Sequence, residues 1–186
     1  MHTQQTPTRE TLDTSLDFGT VMELPYAESE VGFRLPDGQS ERVLLETACP
    51  TQFVVHEPTL IESGAVYMPL EILKFELVGE SQEVWPDATV RVFGGVDSCP
   101  GARPIIGSVH VPAGLAIEDG VDSEQRLYLT METPIGTLRN ETPVIMRGKV
   151  YRVPPFGSRF ESQGDVALYD VKGEERVTVW SCANAS

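Results

Sequence analysis

Residues 66–79 read Val-Tyr-Met-Pro-Leu-Glu-Ile-Leu-Lys-Phe-Glu-Leu-Val-Gly, the longest apolar alternation in the chain. Val66, Met68, Leu70 and Ile72 occupy one phase, and Leu73, Phe75 and Leu77 then carry the alternation in the other. A period of two marks a strand with one face on a core. A slip of one residue marks a β-bulge near Ile72 and Leu73, which bends the strand so that both ends can face that core. Leu70, Leu73 and Leu77 also fit a helical spacing, but Pro69 and Gly79 bracket the run and favour the strand.

Around this strand the apolar runs are short and punctuated. In 186 residues, 14 Pro and 16 Gly are scattered between them, which suits many turns and little helix. Phe33 and Leu35, then Pro36-Asp37-Gly38, then Val43 and Leu45 predict a hairpin, and 166–171 with 177–180 predict a second one across Lys172-Gly173-Glu174. Residues 52–57 read as a short strand closed off by Pro50 and Pro58; 88–93, 105–111, 126–133 and 144–153 read as further strands. Leu16, Phe18, Val21 and Met22 fit either a first strand or a short helical turn. No βαβ rhythm and no repeat of 20–50 residues is present. The expectation is an all-β chain: residues 1–11 a disordered tail, and 12–186 a single-domain antiparallel β-sandwich or β-barrel with long loops.

The chain carries 14 Lys and Arg against 28 Asp and Glu, a net charge of −14. Such a surface repels nucleic acid and anionic membrane, so neither is an expected partner. No run approaches the roughly 20 apolar residues of a membrane span, and the first residues lack the apolar centre of a secretory signal. The expected location is cytoplasmic, which makes three reduced thiols the expected state of Cys49, Cys99 and Cys182.

Familiar catalytic and nucleotide-binding signatures are absent: no Gly-x-Gly-x-x-Gly, no P-loop, no His-Glu-x-x-His and no Gly-x-Ser-x-Gly. His56 and His110 each sit in a strand opposite an apolar face, where a neighbour such as Cys49, Glu46 or Glu57 would make proton transfer feasible. Glu118, Asp119, Asp122 and Glu124 crowd one stretch as calcium ligands do, but without the spacing of an EF-hand loop; the expectation is no metal and no cofactor. Arg139, Arg147, Lys149, Arg152 and Arg159 form a basic segment that suits an anionic group or the acidic half of a second copy, and so a homodimer.

Three function classes fit this reading. The first is a protein binding a small apolar molecule, with Tyr67, Phe75 and Met131 against the ligand and Arg147 as a polar contact. The second is a cofactor-free cyclase or isomerase built on the same pocket, with Glu71, Glu76, Tyr128 and Glu132 as candidate acids and hydrogen-bond donors, since burial raises a carboxyl pKa. The third is a structural or assembly subunit. Fold class alone does not choose among them.

Overall fold

The computed structural model describes residues 17–185; the tail expected over 1–11, and Leu16, lie outside the described residues. The described residues form one antiparallel sheet of 14 strands, with a 3-10 turn at Ile117–Asp119. Among the described residues no helix is long and apolar enough to cross a membrane.

The strand on which the sheet turns is β5 (Val66–Ser81), and it is bulged where the alternation slips. Along β3 (Ser40–Val55), Phe53 faces Ile72 and the adjacent Gln52 faces Lys74, leaving Leu73 as the extra residue. Two residues that a regular strand would send to opposite faces, Ile72 and Phe75, therefore both turn inward. The bulge also exchanges neighbours. Its first half pairs β7 (Ile105–Val111) and its second half pairs β6 (Ala88–Gly94). Asp97 N–H donates to the carbonyl of Leu73 at 2.9 Å, and Gly95, at φ +95°, passes so close to that carbonyl that a Cβ would collide with it.

The last strand, β14 (Glu175–Ala185), repeats the device. Its first half pairs β13 (Val166–Tyr169), its end pairs β12 (Arg159–Ser162), and its register against β2 (Glu28–Arg34) slips at Trp180. Two closed circuits result. One runs from β5 through β7, β8 (Val121–Leu127), β11 (Val144–Val150) and β12 to β14; the other runs through β6, β9 (Leu129–Thr133), β10 (Gly136–Asn140) and β13 to β14. Both close through β2 and β3, so no central strand is left with an open edge. β1 (Val21–Leu24) extends the wall beside the second half of β3, and β4 (Thr59–Leu60) lies beside the start of β5.

Two expectations about strand limits are corrected. Pro50 does not close a strand: β3 runs through it, because the register against β5 is irregular from Thr47 to Gln52 and a missing N–H is tolerated where the ladder is already interrupted. Residues 126–133 are not one strand either. The chain leaves one circuit at Leu127 and enters the other at Leu129, and Asn140 pins the step. Its buried amide accepts from Leu129 N–H at 2.7 Å and donates to the carbonyls of Leu127 and Thr142 at 2.9 and 2.8 Å.

The circuit through β6, β9, β10 and β13 has a buried apolar interior. Val90, Met131, Leu138, Leu168 and Val177 are fully buried within it. The loop after β5 covers one end, with Trp85 stacked on Phe33 at 5.0 Å. Glu41, 6% exposed, holds that loop by accepting hydrogen bonds from Ser81 Oγ and from the backbone of Gln82, Glu83 and Val84. Burial pushes its carboxyl up, but these donors outweigh burial and hold it below the ordinary range.

Candidate functional site

The other circuit is not filled. Beside the Leu73 bulge lies a cavity of about 110 Å³. Its apolar wall is Ile72, Phe75 and Leu77 of β5, Val31 and Leu45 of the shared strands, Val92 and Leu129 at the border with the packed circuit, and Leu127, Met146 and Phe160 across from them. Leu24, Thr51, Glu30, Pro155 and Asn184 are partly exposed and form its margin. An apolar cavity of roughly 150 Å³ takes a benzene ring, so this smaller space suits part of a ring or a short branched chain, with the rest of the ligand reaching the open margin.

The polar side chains of the wall come from strand parity. On β8, Val121, Ser123, Gln125 and Leu127 point inward while Asp122, Glu124 and Arg126 point out. Gln125 thus enters the interior from between Met146 and Gly107, its register partners. Gly107 leaves it room: a Cβ there would stand 3.1 Å from Gln125 Cγ. On the opposite side Ser29 of β2 faces Asn184 of β14 directly, and Cys182 precedes Asn184 by one inward position. Ser29 Oγ is buried without a hydrogen-bond partner, and no side-chain hydrogen bond joins Gln125 or Asn184 to a described residue.

Ionisable groups are scarce here. Of the described lining residues, Glu30 and Cys182 alone carry ionisable side chains. Glu30 is bound by Arg42 at 2.8 Å, and burial pushes the Cys182 thiol up to about 12, so it stays a neutral thiol. The surface that Cys182 exposes is surface of the cavity wall, which reconciles its partial accessibility with its desolvation.

The side chains singled out from sequence lie in several places. Phe75 is in the cavity wall. Met131 points inward but into the packed circuit, where it is fully buried. Tyr67, Glu71 and Glu76 stand on the outer face of β5, since the inward set there is Met68, Leu70, Ile72, Phe75 and Leu77. Glu71 meets His56 at 3.5 Å. Glu76 and Glu132 do come together, but around Arg91, at 2.8 and 2.9 Å, and the Arg91 hydrogen bond holds the Glu76 carboxyl below its ordinary value rather than above it. Tyr128 lies in the step between β8 and β9 with the Arg103 guanidinium over its ring at 4.8 Å. Arg147 points outward and pairs with Glu124 at 2.9 Å.

Several charged side chains of the other stretches are also paired. Asp122 binds Lys149 at 2.7 Å, Glu124 binds Arg126 and Arg147, and Asp119 accepts from the backbone N–H of Ala116, so these acids do not converge. Among the described residues no group of three or more His, Cys, Asp or Glu side chains could hold a metal ion, and Cys49, Cys99 and Cys182 are free.

No family model and no curated protein matches this sequence. Among solved structures the fold is similar to that of DynF, from the dynemicin biosynthesis pathway of Micromonospora chersina. The two share a TM-score of 0.67 at 18% identity over 95% of this chain and 89% of that one. At that identity the likeness is one of fold.

Proposed function

We propose that this protein binds a small, largely apolar molecule in the cavity beside the Leu73 bulge. The observation that carries the reading is the contrast between an apolar wall bordering free space and a second circuit of the same sheet whose inward side chains are fully buried. Interiors are normally close-packed, and an unfilled apolar volume costs stability, so one retained at a margin open to solvent is what binding requires. The likeness to a protein of a biosynthetic pathway supports a small molecule as the occupant.

A cofactor-free cyclase or isomerase working by proton transfer needs an acid or base within reach of the substrate. Glu71, Glu76, Tyr128 and Glu132 lie outside the wall, and the wall's own ionisable groups are a paired carboxylate and a neutral thiol. Binding is therefore the better-supported reading.

Native mass spectrometry of the protein incubated with an organic extract of cells tests it. The expected result is a one-to-one small-molecule adduct that disappears in Ile72→Trp, whose larger side chain enters the cavity. An adduct retained equally by Ile72→Trp, or no adduct and no binding of apolar single-ring compounds, would overturn the proposal.

A further inference from the structure

We infer that the cavity selects a neutral molecule carrying a hydrogen-bonding oxygen, a ketone, ester or alcohol on an apolar frame, and discriminates against both plain hydrocarbons and carboxylates. The inference rests on the binding reading above and adds the chemical class of the ligand.

Selection against a hydrocarbon follows from the polar groups in the wall. Gln125 brings a primary amide, with two donors and an acceptor, into a wall that is mostly Leu, Ile, Val, Met and Phe. It has no protein partner among the described residues, and neither does the Ser29 hydroxyl across from it. The Ser29 hydroxyl is buried, and a buried polar group is ordinarily satisfied, so one that is not calls for an explanation such as a ligand. Local geometry favours this placement over accident. The Gln125 side chain runs past Gly107, where any larger residue would crowd its Cγ, and Ser29 and Asn184 form a cross-strand pair on the same inward face. A ligand oxygen would accept from the Gln125 amide or the Ser29 hydroxyl, and a ligand hydroxyl could also donate to either. A hydrocarbon would leave the buried Ser29 hydroxyl unpaired and would offer the Gln125 amide no partner, whereas a ligand oxygen satisfies either, and this difference is what discriminates.

Selection against an anion follows from the absence of a cation. Among the described residues no Lys, Arg or His lines the cavity, and Arg42 is engaged by Glu30 and lies over the Trp180 ring at 4.5 Å. A carboxylate would give up its hydration with only neutral donors to replace it, beside the negative charge of Glu30.

The test uses three single-ring probes equal in heavy-atom count: cumene, acetophenone and benzoate at pH 8, titrated by ligand-observed NMR against wild type, Gln125→Leu and Ser29→Ala. Acetophenone is expected to bind best, with benzoate at least tenfold weaker. The acetophenone-to-cumene preference should fall on the order of fivefold in Gln125→Leu, the size of one hydrogen bond. Ser29→Ala removes one small hydroxyl and reports on the second group if Gln125→Leu folds poorly; the preference should fall there too. A preference unmoved in the folded variants, with cumene and acetophenone both bound, would overturn this inference and leave the cavity reading standing. Benzoate bound as tightly as acetophenone would also overturn it. If none of the three probes binds, the binding proposal itself falls.

Discussion

The two circuits share β2, β3, β5 and β14 yet end in different states. The circuit through β6, β9, β10 and β13 presents inward Val90, Met131, Leu138, Leu168 and Val177, all fully buried, and is stoppered by the Glu41 loop and Trp85. The circuit through β7, β8, β11 and β12 presents Gln125, Ser162, Cys182 and Asn184 among its apolar side chains and keeps a cavity. The bulges at Leu73 and Trp180 mark the points where the shared strands change partners between the two. One half therefore serves as the rigid support of the other, an arrangement suited to a preformed binding site.

If this contrast is real, truncations should separate by circuit. Leu138→Ala removes fully buried packing and should cost about 2 to 5 kcal/mol in urea denaturation. Glu41→Gln comes next. It weakens charge-assisted hydrogen bonds that hold the stopper and should cost about 1 to 3 kcal/mol at pH 7.

The Glu41 carboxyl sits below its ordinary value of 4.5 in the folded protein, so its contribution is complete above that value and is lost as pH falls through the lower folded value. Urea midpoints measured from pH 7 down to pH 3 should therefore fall less steeply in Glu41→Gln than in wild type. Parallel acid limbs would show that Glu41 does not hold the stopper.

Leu127→Ala, on the cavity wall and already short of neighbours, should cost clearly less than Leu138→Ala, about 2 kcal/mol or below. Ser29→Ala should be the smallest change, within about 0.5 kcal/mol of wild type, because it removes a buried hydroxyl that has no partner to lose. A large cost at Ser29 or an equal cost at Leu127 and Leu138 would erase the distinction between the circuits.

The legibility of the sequence follows the same division. The β5 bulge, the hairpin around Pro36-Asp37-Gly38 and the hairpin around Lys172-Gly173-Glu174 were readable because apolar alternation and turn chemistry act locally. The first half of β8 was not. Of its inward residues, Val121, Ser123, Gln125 and Leu127, two are polar, so the alternation that announces a strand is interrupted, at Gln125 by a side chain of the site itself.

The same parity explains the placement of Glu71, Glu76 and Tyr67. A polar residue opposite an apolar face of a closed sheet points to solvent, and the useful polar residue is the one in phase with the apolar set, as Gln125 and Glu41 are. Asn140 left no local signal, because its role depends on a step between circuits that only closure creates.

Acetophenone binding and thermal unfolding, followed in wild type, Cys182→Phe and Leu138→Ala, bear most directly on the claim that one circuit supports a binding cavity in the other. Filling the cavity from Cys182 should abolish acetophenone binding while leaving the melting temperature within about 2 °C, a change well under 1 kcal/mol for a chain of this size. Leu138→Ala should lower the melting temperature and still bind. Acetophenone bound undiminished by Cys182→Phe, or lost in folded Leu138→Ala, would contradict the account.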